Sequence, residues 1–188
     1  KDIGKYFSAE QVDAIALALD NINDGKGFII GDQTGIGKGR VNAAMIKYAI
    51  KNKIVPIFVT EKTNLYGDMI RDLNDIGMTD IKPFITNPAE TIPLDEDAQK
   101  WYAESLKAKE NGEPVPKKYG KFLKTPESKA HTASIIEITN SKNLSGYDVI
   151  FTTYSQMQTV SGKKPVRVDF LEAMADGGLV ILDESHNA

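Results

Sequence analysis

The chain has no cysteine. That excludes a disulfide framework and any thiolate metal centre, and it suits a reducing compartment. Histidine is almost as scarce: His131 and His186 stand alone, too few for a metal site built from imidazoles. No apolar stretch approaches the roughly 18 residues that would cross a bilayer, and no signal peptide is visible. An excess of positive charge is missing too, with 23 Lys and Arg against 26 Asp and Glu and a net charge of −3. A broadly basic nucleic-acid-binding surface is therefore excluded, and any such surface must be a local patch. What remains is 188 residues, 41% hydrophobic and 26% charged, the composition of an ordinary globular domain with a core. The expectation is a cytoplasmic protein, nuclear if eukaryotic, with no membrane partner.

Apolar periodicity predicts alternating helices and strands. Between Ser8 and Asn23, Val12, Ile15, Leu19 and Ile22 fall on one helical face. Ser8 and Gln11 have the spacing of a capping box, and Asp24-Gly25-Lys26-Gly27 supplies a stop. Phe28-Ile29-Ile30 reads as a short buried strand, 38–51 as a helix, 54–60 as a strand, 64–76 as a helix ended by Gly77, and 81–86 as a third strand. Later, 148–154 reads as a strand, 169–175 as a helix, and "LVILDESHNA" as a strand running into acids. Such alternation implies parallel strands joined by helical crossovers, and uninterrupted apolar strands are buried on both faces. The predicted class is α/β, with a mostly parallel central sheet, in a single domain over 1–188.

Residues 87–130 break this rhythm. They hold Pro88, Pro93, Pro114 and Pro116, the acidic run Asp95-Glu96-Asp97, and a lysine-rich stretch from Lys100 to Lys129. They read as an insertion, partly mobile, with a short helical piece beginning at Trp101-Tyr102. The strand pattern is expected to resume near Ile135–Ile138. The lysines allow two readings, a solvated loop or a patch for phosphate backbones, and the solvated loop is favoured.

Two motifs carry chemistry. In "FIIGDQTGIGKGR", an apolar run leads through Gly35 and Gly37 to Lys38 at the start of a helix. Glycines let a backbone turn tightly and aim N–H groups at phosphate oxygens. The helix N-terminus adds positive potential, and a lysine reaches the β- and γ-phosphates. Asp32 and Gly39 depart from the G-x-x-x-x-G-K-[ST] pattern, and Gly39 removes the hydroxyl that meets magnesium. In "LVILDESHNA", Asp183 and Glu184 end a hydrophobic strand, the edge at which open parallel sheets bind ligands. Adjacent acids there can divide metal holding from water activation.

Together these motifs resemble motifs I and II of superfamily 2 helicases and translocases, the second being D-E-x-[HD], here Asp183-Glu184-Ser185-His186. The resemblance implies a RecA-like P-loop domain with helices on both faces of its sheet. It implies ATP and Mg as ligands, Lys38 on the phosphates, Asp183 holding magnesium directly or through water, Glu184 activating water, and His186 coupling to nucleic acid. It extends to an upstream glutamine that reads adenine, Gln11, preceded by Tyr6-Phe7. The phosphate loop would comprise Thr34, Gly35, Ile36, Gly37, Lys38, Gly39 and Arg40. "PIFVTEKTNL" matches the position of motif Ia and "TTYS" the segment before motif II, which makes Thr60, Lys62, Asn64 and Thr153 candidate nucleic-acid contacts, with Thr63 a further one. Asn64 or Thr63 could instead cap the following helix.

The string "GDQTGIGKGR" narrows the resemblance to the strawberry-notch branch, whose motif I runs G-D-x-T-G-x-G-K-G-R; Gly39 and Arg40 are then regular. Related domains occur in phage and plasmid proteins, some joined to methyltransferases. The implied function is the first motor domain of a nucleic-acid-dependent ATPase, acting on DNA in preference to RNA. Hydrolysis would need a second RecA-like domain in a longer chain. Two alternatives stand beside it: a catalytically silent P-loop scaffold or regulatory module, and a different P-loop enzyme such as a kinase, against which the D-E-x-H ending argues.

Overall fold

The computed structural model describes residues 3–31, 37–144, 146–159 and 162–185. A single 3₁₀ turn at Ile3–Lys5 precedes α1 (Ala9–Asn23) and α2 (Lys38–Lys51). Then come β1 (Pro56–Thr60), α3 (Leu65–Asp75), β2 (Pro83–Ile85), β3 (Thr91–Pro93), α4 (Glu96–Asn111), β4 (Phe122–Lys124) and α5 (Ser128–Ser141). β5 (Val149–Thr153), a 3₁₀ turn at Tyr154–Met157, α6 (Val166–Ala175) and β6 (Leu179–Leu182) complete the chain.

Four strands form one parallel sheet in the order β2-β5-β1-β6. β1 and β5 are buried at every position, as a sheet covered on both faces requires. Side chains alternate between two cores. Phe58, Phe151, Ile85 and Ile181 meet Ala43 and Ile46 of α2 and Met69 and Leu73 of α3 on one face. Ile57, Val59, Ile150 and Phe84 meet Ile135 and Ile138 of α5 and Phe170, Leu171 and Met174 of α6 on the other. The predicted α/β sheet with helices on both faces is therefore what forms. Aromatic rings pack within the sheet and across layers: Phe58 and Phe151 on neighbouring strands stand edge to face at 5.5 Å, and Phe84 of β2 lies 5.3 Å from Phe170 of α6.

Three local expectations are corrected. Phe28-Ile29-Ile30 forms no strand; Ile29 is 87% exposed and only Phe28 packs against the core. The run is three residues long and bounded by Gly27 and Gly31, which leaves little to pin a register. β6 is consequently one of the two sheet edges among the described residues, β2 being the other.

Residues 135–138 are helix, not strand. His131, Ile135 and Ile138 are buried at helical spacing while Ile136 is exposed. Thr132, Ser134 and Thr139 return hydroxyl hydrogen bonds to carbonyls four residues back, so β-branched propensity yields to packing.

The stretch 87–130 holds more regular structure than the short helical piece expected at Trp101-Tyr102. β3 and β4 pair antiparallel and α4 runs sixteen residues. The acidic run serves as a cap: Asp95 accepts from the Ala98 N–H at 2.8 Å and from the Lys121 N–H at 3.1 Å. Trp101 donates to the Pro116 carbonyl at 2.9 Å, and the Lys118 ammonium sits 3.8 Å from the centre of the Phe122 ring.

Gly178 sets the entry to β6. A Cβ there would lie 2.6 Å from the Met174 carbonyl and 3.0 Å from that of Val55, and neither backbone atom can move cheaply. Gly178→Ala should therefore cost roughly 1–3 kcal/mol, whereas Gly27→Ala, with open space around it, should not destabilise. Denaturant unfolding of both variants checks this.

Candidate active site

The sheet's carboxyl edge gathers the predicted chemistry. α2 begins with Gly37 in the left-handed conformation (φ 78°) and has no side-chain cap. The positive end of this helix thus sits at the strand ends, the placement that favours phosphate. A Cβ on Gly37 would also collide with the Gln11 amide. The capping box at Ser8 forms as predicted, with Gln11 Oε1 accepting from the Ser8 N–H at 3.0 Å. The same side chain donates from Nε2 to the Gly37 carbonyl at 3.4 Å. A glutamine near the helix start thereby reaches the phosphate-loop candidate, with Phe7 packed on the core beneath it.

β6 delivers the second motif. The Asp183 N–H continues the ladder onto the Val59 carbonyl at 2.8 Å. Its carboxylate accepts from Thr60 Oγ1 and from Asn42 Nδ2, each at 3.4 Å. Burial, and then the neighbouring Glu184, push the Asp183 carboxyl above its ordinary pKa; the Thr60 hydroxyl and the nearby Lys38 ammonium pull it back. Lys38 and Asp183 are thus brought together, as the two motifs require. Glu184 is exposed and left-handed at φ 51°. A non-glycine residue in that region costs about 1–3 kcal/mol and recurs at functional sites.

Thr34, Gly35, Ile36 and His186 lie outside the described residues. Gly39 and Arg40 face α3. A Cβ on Gly39 would collide with the Asp72 carboxylate. Arg40 pairs with Asp75 and donates to the Tyr6 carbonyl at 3.3 Å. The Gly-Arg tail of the motif thus closes α2 onto α3. Burial raises the Asp72 pKa, opposed by Arg71 and Arg40.

The four nucleic-acid candidates divide. Thr60 is fully buried with its hydroxyl on Asp183, and Thr153 is buried between Asn87 Nδ2 (3.1 Å) and Ser155 Oγ (3.0 Å). Neither side chain is presented to a strand in this arrangement. Lys62 and Asn64 are exposed, Lys62 paired with Glu61, and Asn64 makes no cap. Asn42 and Tyr154 escaped the sequence reading. Asn42 falls four residues after Lys38, on the same helical face, a usable signal. Tyr154, whose hydroxyl donates to the Asp183 carbonyl at 2.7 Å, gave none.

The donor set suits magnesium. Among the described residues no group of three His, Cys, Asp or Glu gathers. Magnesium takes one or two carboxylates and completes its shell with water and phosphate oxygens, and a half-buried carboxylate whose charge is poorly solvated gains from a cation.

Fold and site define an α/β domain of the P-loop nucleotide-binding type. A family profile described as "P-loop containing NTP hydrolase pore-1" matches residues 4–188, and the chain belongs to that family. Protein strawberry notch of Drosophila melanogaster is similar over 99 residues at 32% identity, a stretch that is 49% of this chain and 6% of that protein. No solved structure gives a significant match.

Two expectations follow. Gly39→Ser crowds only the movable carboxylate end of Asp72, so it should cost no more than about 1 kcal/mol, and adding Asp72→Ala should remove that cost, a coupling readable in a double-mutant cycle. Because the native Asp183 pKa is raised, this carboxyl stabilises the fold at acid pH, and that contribution is lost as pH rises through its native value. Asp183→Asn should therefore melt above the wild-type protein at about pH 7, with the gap closing on acidification.

Proposed function

We propose that this chain is the nucleotide-binding domain of a nucleic-acid-dependent ATPase motor of the helicase or translocase class. The observation carrying the proposal is the junction of Lys38, Asn42, Thr60 and Asp183 at the start of α2 and the end of β6. A kinase would need a second acceptor pocket at this edge. The acid pair ending β6 suits water as nucleophile.

A magnesium-bound nucleoside triphosphate supplies the phosphoanhydride and the charge that the site complements. Lys38 and the positive end of α2 would hold its phosphates. The Asp183 carboxylate, oriented by Thr60 and Asn42, holds the metal shell. Glu184, exposed beside it, orients the attacking water and accepts its proton. Gln11 reads the base edge. Single-stranded DNA lies across the strand ends, with Lys62 and Asn64 on its phosphates. A second RecA-like domain completes the hydrolytic site, and the working compartment is the cytoplasm or nucleus.

Lys38→Ala should weaken nucleotide binding at least about tenfold, roughly one charge-assisted contact, in a titration with labelled ATP. Glu184→Gln should leave binding intact and stop turnover of the full-length protein. Unchanged turnover would refute the motor assignment of Glu184, and absence of turnover in the wild-type protein would favour a silent scaffold.

A further inference from the structure

The hydrogen bond from Tyr154 to the Asp183 carbonyl joins two segments the motifs treat separately. Tyr154 opens the 3₁₀ turn directly after β5 and is 8% exposed. Its hydroxyl reaches the carbonyl of the peptide linking Asp183 to Glu184 at 2.7 Å. That peptide follows the last ladder bond of β6 and precedes the left-handed Glu184. The plane of the peptide sets where the Glu184 side chain leaves the backbone, so Tyr154 fixes the orientation of the residue assigned to water. The phenol hydroxyl is the donor of this bond, since a carbonyl can only accept.

On its other side Tyr154 belongs to a tied unit. Thr153 accepts from Asn87 Nδ2 at 3.1 Å, and Asn87 Oδ1 accepts from Tyr66 at 2.8 Å. The Gln156 carbonyl accepts from Arg167 Nε at 2.9 Å. Ser155 is exposed and Gln156 half-exposed at the same strand end. A ligand seated on 155–156 therefore bears on a segment whose buried partners resist local movement. The hydroxyl of Tyr154 is its direct link to Asp183.

We infer that Tyr154 is the positioning residue that couples occupancy of the surface at Ser155 and Gln156 to the orientation of Glu184. The inference rests on the nucleic-acid reading proposed above. Coupling of two sites is reciprocal in binding free energy, so it can be measured without catalysis. In the full-length protein, the affinity for a fluorescent single-stranded DNA oligonucleotide is measured with and without a saturating non-hydrolysable ATP analogue and Mg²⁺. The wild-type protein should show a ratio of about 5-fold or more, the usual size of such couplings. Tyr154→Phe should bring the ratio within about 2-fold of unity, while either ligand alone binds within about 3-fold of wild type, each well under a kcal/mol. A purely structural role would instead lower both affinities and the melting temperature and keep the ratio.

A wild-type ratio retained in Tyr154→Phe overturns the inference. A wild-type protein that binds the oligonucleotide with a ratio of one overturns it and spares the nucleic-acid reading. Failure to bind any oligonucleotide removes both. Should Tyr154→Phe not fold, hydrogen exchange of the wild-type protein decides: oligonucleotide binding should change protection at the Glu184 amide, and unchanged protection overturns the inference.

Discussion

One half-buried carboxylate organises the carboxyl edge of this sheet. Asp183 ends β6, and its charge is poorly solvated there. Three other groups answer that constraint, the Thr60 hydroxyl from β1 and the Asn42 amide and Lys38 ammonium from α2, while the Tyr154 hydroxyl after β5 holds the adjoining carbonyl. All four come from three elements and meet only because β1 lies between β5 and β6. Burying an ionised group costs free energy unless partners or a cation offset it. A site left slightly unfavourable in the free protein is one that a metal and its phosphates can complete.

The same economy explains the unusual phosphate-loop ending. Gly39 lacks the hydroxyl of the general pattern, and the Asp72 carboxylate lies against it instead. Arg40 is drawn to Asp75 one helical turn along α3. The Gly-Arg pair is a packing device between α2 and α3, which holds the start of α2 at the strand ends. Thr60, a candidate for surface contact by its motif position, is drafted into the buried site instead.

Much of this was legible in the sequence, for identifiable reasons. Uninterrupted apolar runs at 56–60 and 149–153 marked buried parallel strands, and Ser8 with Gln11 marked a capped helix start. The acid pair after β6 was legible because strand ends in such sheets bind ligands. Ile135–Ile138 misled because β-branched residues favour strands locally, while the buried spacing of His131, Ile135 and Ile138 is set by contact with the sheet. Phe28-Ile29-Ile30 misled because hydrophobicity alone does not supply a ladder partner. In 87–130, prolines and charge hid a Trp101-centred packing that depends on residues fifteen or more apart. Tyr154 was invisible since nothing local ties a phenol to a carbonyl 29 positions later.

The account therefore stands or falls on the state of Asp183. Carbon-13 NMR titration of its labelled carboxyl, in the free protein and with Mg²⁺ and a non-hydrolysable ATP analogue, reads that state directly. The account predicts a pKa above the ordinary aspartate range of about 4 in the free protein, falling below it when both ligands are added. An ordinary value in the free protein that neither ligand moves would contradict it.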